Sequence, residues 1–432
     1  MAKTSRRSFI KKNILSGLFL SSAIPLLQAN NALKSESTLP TLKPYTSDYN
    51  SIDWGNIREQ FLFPKEKHYL NTGSLGPSPK VVINTICENI EKLETSTSHG
   101  RHQIDETHEK AAKFLNVTTD EIAFTRNATE GLNIAARSLR LKKGDEIIIS
   151  THEHVGGASP WMALEKDFGA IVKLIDLDFN GENNLQIIKD NITDKTKVVA
   201  FSHITCTTGM KLPAKDIVEF CRSKNIYSCI DGAQSLGMFP IDLRDINPDF
   251  YASSGHKWLF GPKGTGLLFI NKNIIEHINP VFAGAYTDTK FDLNSLTMEY
   301  RKSAQREEYG TRNTPITLGL GSAFDFINAI GIDNIAKRGR ELVTRFRKSI
   351  ASTPEIEILT PESDIYSASM ITIRIKGKDN LKINPTLNKE KNLRMRGIYE
   401  NNINGIRISF AIFNSFEEVD LLVDSLKDVV KG

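Results

Sequence analysis

Cysteine is scarce in this chain, and the few cysteines follow no regular spacing. Only four occur among 432 residues, and none follows Cys229. So few cysteines in so long a chain exclude a small fold built on a disulfide framework. An oxidising compartment would permit a bridge, but the sequence does not pair these residues. The fold must therefore be held by a hydrophobic core, which a chain of this length can bury.

A basic surface is lacking too. The formal net charge is +4, but residues 1–29 contain five basic residues and no acidic one. The rest of the chain is therefore close to neutral, at about −1. No basic stripe remains to indicate nucleic-acid binding. Internal repeats and low-complexity runs are also absent, so length and composition indicate a large domain followed by a smaller one.

The N-terminal residues have the features of an export signal. Residues 5–11 (SRRSFIK) fit the twin-arginine pattern, and residues 14–27 are apolar but too short and interrupted to span a bilayer comfortably. Ala29 or Ala32 would suit cleavage. We therefore expect residues 1–29 to be a twin-arginine signal peptide read by the export machinery, residues 30–49 to be a linker, and the mature protein to be periplasmic or secreted. The alternative is a basic disordered tail.

The most informative stretch runs from Tyr227 to Ile270. One short apolar run ends at Asp231, and the next leads into Lys257. If both runs are strands, the carboxylate and the amine meet at the carboxyl edge of a sheet, where open α/β folds bind ligands. Pyridoxal 5′-phosphate (PLP) chemistry needs such a pair, because lysine binds the aldehyde as a Schiff base and a carboxylate keeps the ring nitrogen protonated. The alternative is a solvated lysine and a turn-capping aspartate.

Three motifs in this stretch carry a family resemblance. They are D-x-x-Q at residues 231–234, S-x-H-K at residues 254–257 and G-x-G-x-L at residues 264–268. Together they resemble the class V aminotransferases, which include cysteine desulfurases and isopenicillin N epimerase-like proteins. The resemblance, from Trp54 to the C-terminus, implies an α/β fold of the aspartate aminotransferase type (fold type I), with a mainly parallel sheet in the large domain, a smaller C-terminal α/β domain, and PLP as cofactor.

The resemblance also assigns roles to side chains around the cofactor. Lys257 would bind PLP and then move the substrate Cα proton, with Asp231 at the ring nitrogen. Gln234 would contact the phenolic oxygen, and His154 would stack on the ring. The phosphate would be held by several groups: the Ala128 backbone, Thr129, Ser254, His256 and, from the partner chain, Thr311. Shared active sites of this kind imply a homodimer.

Two parts of the predicted site also follow from the residue pattern without the family resemblance. Residues 125–133 place small polar residues ahead of an apolar-periodic segment, which predicts a helix N-terminus and hence an anion site. Arg407 lies in an apolar strand and needs an anionic partner there. It matches the arginine that binds the substrate carboxylate in the family, with Arg396 a weaker second candidate and a structural salt bridge the alternative. The segment His68–Pro77 resembles the entry segment of the family, which implies that Asn71 lies near the substrate.

Two features separate this chain from the desulfurases. Cys206 occupies the position of an asparagine near the phenolic oxygen, and no cysteine follows Cys229 to act as the nucleophile that those enzymes carry on a mobile loop. We therefore expect an exported PLP enzyme acting on the amino group or Cα of an amino acid or peptide-like substrate, of epimerase or transaminase type. The alternatives are a PLP-dependent lyase and a non-catalytic PLP-fold binding protein. A metal protein built on His152, Glu153 and His154 is disfavoured, because the helical HExxH spacing is absent.

Alternating apolar runs and helical patterns predict the order of elements. Residues 50–75 would form an N-terminal segment, 76–334 the large PLP-binding domain and 335–432 the small domain. Pro160 is expected to begin a helix. Ser415 and Glu418 form a capping box that is expected to begin the last helix.

Overall fold

The computed structural model of the protein describes residues 48–432, which belong to one compact unit running from residue 44 to the C-terminus. The predicted signal peptide and nearly all of the predicted linker lie outside the described residues. Within residues 48–432, no single helix is long and apolar enough to cross a membrane. The consecutive helices Thr314–Ile330 and Ile332–Ile350 pass that test only as a pair, with a bend of 73° between them.

A seven-stranded sheet forms the centre of the large layer. Its strands, in spatial order, are Ile122–Thr125, Gly266–Ile270, Phe250–Ser254, Tyr227–Asp231, Thr196–Ser202, Glu146–Ser150 and Ile171–Ile175. The last five strands run parallel to one another. The strand Gly266–Ile270 runs antiparallel to both of its neighbours, Ile122–Thr125 and Phe250–Ser254. The central strands are buried except at Lys197 and Tyr227 near their starts, as expected of parallel strands covered on both faces. The predicted α/β fold with a mainly parallel sheet is confirmed.

Helices alternate with these strands and cover the sheet. The helices of the described residues are Trp54–Glu59, Lys80–Ser96, Ile104–Leu115, Ala128–Ser138, Val155–Phe168, Asn184–Asn191, Ala214–Ser223, Leu243–Ile246, Thr314–Ile330, Ile332–Ile350, Asn380–Lys391 and Phe416–Lys431. The capping box is confirmed, since Ser415 accepts from the Glu418 N–H and Glu418 accepts from the Ser415 N–H.

One predicted helix start was wrong. Pro160 lies inside the helix Val155–Phe168 instead of at its beginning. The helix begins earlier because the imidazole of His154 accepts a hydrogen bond from the Gly156 N–H and caps the first turn. Proline is tolerated in the first turn, where no intrahelical partner is lost, so the sequence alone favoured the later start.

A second sheet lies entirely beyond residue 335. Its order is Ile356–Ile358, Met370–Ile375, Gly405–Ser409 and Arg396–Ile398, and all its pairs are antiparallel. Its apolar side chains pack against the helices Ile332–Ile350 and Phe416–Lys431 in a core of their own. The division into domains at residues 334 and 335 stays a prediction.

Two small pairings complete the strands. His68–Tyr69 runs parallel to Leu393–Arg394, which ties the N-terminal segment to the C-terminal part. Asp288–Asp292 and Thr297–Tyr300 form an antiparallel hairpin whose residues are largely exposed. This hairpin was not predicted from the sequence.

Hydrogen bonds join the second sheet to the carboxyl edge of the first. The Thr372 hydroxyl donates to the Thr207 carbonyl at 2.6 Å, in the loop that follows the strand Thr196–Ser202. The N-terminal segment closes the same region, since Asn71 bridges to Ser409. Residues from three distant parts of the chain therefore meet where the central strands end.

Candidate active site

A cavity of about 290 Å³ lies at this carboxyl edge. Most of the residues predicted to bind cofactor or substrate line it, namely Ala128, Thr129, His154, Asp231, Gln234, Ser254, His256, Lys257 and Arg407. They come from five separate segments of the chain, so the fold brings together what the motifs keep apart.

Lys257 and Asp231 reach the cavity from adjacent strands. Asp231 is the last residue of one strand and is aligned with Ala252 of the next. That second strand ends at Ser254, three residues before Lys257. Burial lowers the pKa of Lys257 to about 8, although the charge of Asp231 acts in the opposite direction. Burial raises the pKa of Asp231, and Lys257 opposes that rise. The two groups are thus coupled inside a poorly solvated site.

The Glu153 carboxylate lies near that of Asp231. Its carboxylate accepts hydrogen bonds from the hydroxyls of Ser150 and Ser202, both at 2.6 Å. A Cβ added at Gly157 would lie 3.1 Å from an Asp231 oxygen and 3.6 Å from a Glu153 oxygen, so the two carboxylates face the same point. Burial, aided by the charge of Asp231, raises the pKa of Glu153 to about 7.

The side chains of the alternative metal site are engaged elsewhere. His152 is buried, and its Nδ1 lies 2.7 Å from the Thr207 hydroxyl. Glu153 is held by the two serines, and His154 caps a helix. Residues 48–432 contain no group of three or more His, Cys, Asp or Glu side chains placed to bind a metal ion.

His154 presents a neutral imidazole to the cavity. Its Nδ1 accepts from the Gly156 N–H at 3.0 Å, which leaves the proton on Nε2. Burial first, and then the charge of Lys257, lower its pKa to about 4. An uncharged aromatic ring fixed in this way suits stacking on a pyridine ring.

An anion site lies close to His154, since a Cβ added at Gly156 would lie 2.3 Å from the Thr129 hydroxyl and 3.2 Å from the His154 Nδ1. The helix Ala128–Ser138 begins here, with the Asn127 side chain accepting from the Glu130 N–H at 2.9 Å. The Ala128 N–H donates to the Ser254 hydroxyl at 3.2 Å, and Thr129 and His256 line the same wall. A helix N-terminus with hydroxyl and imidazole donors beside it is suited to a phosphate.

The N-terminal segment closes the cavity. Gln234 donates to the Gly73 carbonyl at 2.8 Å and accepts from the Trp258 indole at 2.9 Å. Gly76 must lack a side chain, because a Cβ there would lie 2.0 Å from the Lys257 carbonyl oxygen. The backbone of this segment therefore packs directly on the loop that carries the lysine.

Arg407 is a buried cation that lines the same cavity. It donates to the Cys206 carbonyl at 2.8 Å and to the Ser74 hydroxyl at 2.9 Å, while its Nε has no partner among the described residues. Burial, with a contribution from Arg396, lowers its pKa to about 10. It forms no salt bridge with any residue of the described chain, so its charge is available to an anionic ligand.

The residues present fit PLP. Lys257, Asp231, the groups suited to a phosphate and the neutral His154 imidazole all line one cavity. The Asp231 carboxylate accepts only the Ala233 N–H, at 2.8 Å, among the described residues, which leaves its second oxygen for a protonated ring nitrogen. When bound, PLP supplies the electron sink that stabilises negative charge at the substrate Cα.

Two predicted residues do not line this cavity. Asn71 is buried beside it, with its Oδ1 unpaired among residues 48–432. Thr311 lies in a separate depression with Arg126 and Arg312. Their predicted roles stay predictions. Cys206, at the position of the family's asparagine, lines the cavity, but burial raises its thiol pKa to about 11.

Sequence reasoning missed Ser74 and gave Arg396 little weight. Both line the cavity. Ser74 lies in a turn that local patterns read as an ordinary Gly-Pro loop, and its contact with Arg407 spans 333 residues. Arg396 could have been found from its charge inside the short strand Arg396–Ile398, the same signal that identified Arg407.

Comparisons with known proteins agree with this geometry. The profile of the aminotransferase class-V family matches residues 78–422. A probable cysteine desulfurase of Methanothermobacter thermautotrophicus is 27% identical over 394 residues, covering 87% of this chain and 97% of that relative. The apo structure of a cysteine desulfurase from Thermococcus onnurineus is similar with a TM-score of 0.79 at 25% identity, covering 87% of this chain and 98% of the other.

A third similar protein was solved with its cofactor. A variant of C-DES with glycine covalently linked to PLP has a TM-score of 0.78 at 25% identity, covering 86% of this chain and 99% of its own. C-DES is a cystine C–S lyase. With the family profile spanning most of the chain and the cavity suited to the cofactor, this chain belongs to the aminotransferase class-V family and is a PLP-dependent enzyme of that family's α/β fold.

Proposed function

We propose that this enzyme is a lyase that eliminates a group from the Cβ of an amino acid, with a C–S bond as the first candidate. The observation that carries the proposal is the meeting, in one cavity, of an amine of lowered pKa, a cofactor-binding acid and a buried arginine without an acidic partner. The similar proteins act on sulfur amino acids by their names. This reading replaces epimerisation and transamination as the preferred reaction.

The cysteine inventory favours elimination without sulfur storage on the protein. No cysteine occurs from residue 230 to the C-terminus. Cys206 lines the cavity, but its raised pKa keeps it a thiol at neutral pH, and the thiolate is the nucleophile. The sulfur would therefore leave with the departing group and would not be transferred to the enzyme.

The residues divide the work as follows. Arg407 binds the substrate carboxylate, oriented by the Ser74 hydroxyl and the Cys206 carbonyl. The Nζ of Lys257 takes the Cα proton, which it can do because burial has already lowered its pKa. The electron pair freed at Cα forms a double bond to Cβ as the Cβ–S bond breaks, and the sulfur leaves with its electrons. Lys257 returns the proton to the leaving thiolate, and hydrolysis of the remaining fragment gives pyruvate and ammonia.

Glu153 keeps this arrangement electrically balanced. With its pKa near 7, it is partly protonated at neutral pH, whereas Asp231 beside it is stabilised as a carboxylate by Lys257. Two buried carboxylates so close together would otherwise repel each other. The protonated fraction of Glu153 carries no charge and does not repel Asp231, which favours the carboxylate form that a ring nitrogen needs.

Product analysis tests the reaction type. We expect the PLP-loaded enzyme to convert L-cysteine or L-cystine to pyruvate and ammonia in equal amounts, since elimination releases both. Lys257→Ala should lower the rate by about 10² to 10⁴-fold, because it removes the proton-transfer group. Lys263→Ala, an exposed lysine six residues away, is the matched control and should retain activity. Formation of the D-enantiomer, or of a keto acid without ammonia, would favour epimerisation or transamination instead.

The lowered pKa of Lys257 predicts how cofactor capture depends on pH. The amine must be neutral to react with the aldehyde, and its pKa is about 8. The rate at which cofactor-free protein binds PLP should therefore rise up to about pH 8 and then level off. Asp231→Asn should move the midpoint to lower pH, because the charge of Asp231 raises the lysine pKa. A rate that continues to rise to pH 10 would contradict a buried amine.

We also propose a homodimer with shared active sites. Thr311 does not line the cavity of its own chain but lies on a separate depression beside Arg126 and Arg312. The hairpin Asp288–Tyr300 presents Phe291, Leu293 and Leu296 to solvent. Thr311 could therefore serve a second copy, with the hairpin part of the contact.

Mixed subunits test this arrangement. Lys257→Ala and Thr311→Ala proteins should each lose activity or PLP affinity, and mixing them under exchange conditions should restore one native site per heterodimer. Sedimentation of the wild type should give twice the mass of the chain. A monomer, or mixtures no better than the average of the two variants, would exclude shared sites.

We propose that the protein is exported through the twin-arginine pathway. The support is the SRRSFIK pattern and the apolar segment that follows it. In a bacterium with this pathway, cell fractionation should find the protein outside the cytoplasm, and Arg6→Lys with Arg7→Lys should retain it inside. Replacing Lys11 and Lys12 by glutamine, which leaves the arginine pair intact, is the control. Equal export of the double-arginine variant would argue against this route.

A further inference from the structure

A second arginine faces the same cavity from the neighbouring strand. Arg396 and Arg407 are directly paired across the antiparallel strands Arg396–Ile398 and Gly405–Ser409, so their side chains lie on one face of the sheet. Both line the cavity. We propose that Arg396 binds a second acidic group on the substrate, so that the enzyme selects amino acids whose side chain or leaving group ends in an acid. This inference rests on the proposed function.

An unpaired, buried hydrogen-bond donor of Arg396 favours a ligand at this side chain. Its Nη2 donates to the Glu400 carboxylate, while its Nη1 is buried without an acceptor among residues 48–432. A guanidinium carries five donors in a fixed fork, and buried donors without acceptors cost free energy. An acceptor in the cavity would satisfy Nη1, just as the substrate carboxylate would satisfy the unpaired Nε of Arg407.

The charges of Arg396, Arg407 and Glu400 also favour an acidic ligand. Like charges directly opposite each other on a sheet are destabilising, and the charge of Arg396 lowers the pKa of Arg407. Glu400 forms a salt bridge with Arg396 but not with Arg407. The acid Glu400 is thus set against two guanidinium groups, which leaves an excess positive charge that an acidic ligand in the cavity would neutralise.

The positions of the two arginines assign one acid to each. Arg407 is fully buried and held by Cys206 and Ser74, which suits the α-carboxylate common to all amino-acid substrates. The Arg396 side chain keeps 21% of its surface exposed, so it lies nearer solvent, where a side chain or leaving group would extend. A carboxylate or sulfinate there would accept from Nη1 with a charge-assisted bond, whereas an uncharged amide would accept a weaker one.

Binding of unreactive ligands tests the inference without any turnover. Succinate and its monoamide succinamate have the same size, and neither has an amino group to react with the cofactor. Calorimetry on the PLP-loaded enzyme should give a dissociation constant about tenfold to a hundredfold lower for succinate, the range expected for a hydrogen bond to a charged group. Arg396→Gln should bring the ratio of the two dissociation constants close to one.

Two further variants give the comparison a direction. Arg394→Gln removes an exposed arginine two residues away and should leave the ratio unchanged. Glu400→Gln removes the competing acid and should increase the preference for succinate. Arg396→Lys, which keeps the charge but loses the fork, should lie between wild type and Arg396→Gln, and it replaces Arg396→Gln if that variant fails to retain PLP.

The outcomes separate this inference from the proposed reaction. Equal affinity of the wild type for both ligands, or an unchanged ratio in Arg396→Gln, overturns the acidic subsite whatever the reaction is. Failure to form pyruvate while the succinate preference follows Arg396 would overturn the lyase and leave the subsite intact.

Discussion

The site depends on holding a lysine amine beside a carboxylate where little water reaches either. Burial alone favours the neutral form of both Lys257 and Asp231, while their mutual attraction favours the charged forms. The balance leaves an amine with a pKa near 8 instead of the usual value above 10. The Gly76 backbone packs against the Lys257 carbonyl, and the Glu153 carboxylate near Asp231 is held by the Ser202 hydroxyl, so the lysine loop and the surroundings of the acid are closely packed.

A second constraint is the junction between the two sheets. The central sheet supplies the amine, the acid and the helix N-terminus, whereas the second sheet supplies both arginines. Hydrogen bonds from Thr372 to the Thr207 carbonyl and from Arg407 to the Cys206 carbonyl fix the second sheet on the loop after the strand Thr196–Ser202. The groups proposed for the chemistry and those proposed for substrate recognition thus come from different sheets, and their relative position is set by contacts between residues more than 160 apart in sequence.

Much of the fold could be predicted because its signals are local. Buried parallel strands appear in the sequence as short apolar runs. The start of the last helix is indicated by the capping box of Ser415 and Glu418. The start of the helix Val155–Phe168 could not be predicted from Pro160, because the cap is a histidine side chain, which is not among the preferred capping residues. The hairpin Asp288–Tyr300 was missed since its strands are exposed and lack a buried alternating face.

By itself the sequence predicted the cofactor and the two groups expected to bind its reactive ends, because Lys257 and Asp231 belong to motifs short enough to read along the chain. Only the tertiary structure decided what surrounds them. Ser74 reaches Arg407 across 333 residues, and Arg396 becomes its neighbour through strand pairing. The lysine pKa likewise depends on burial, which no local pattern carries. Folding alone brings these groups into one poorly solvated cavity, where their charges interact more strongly than they would in water.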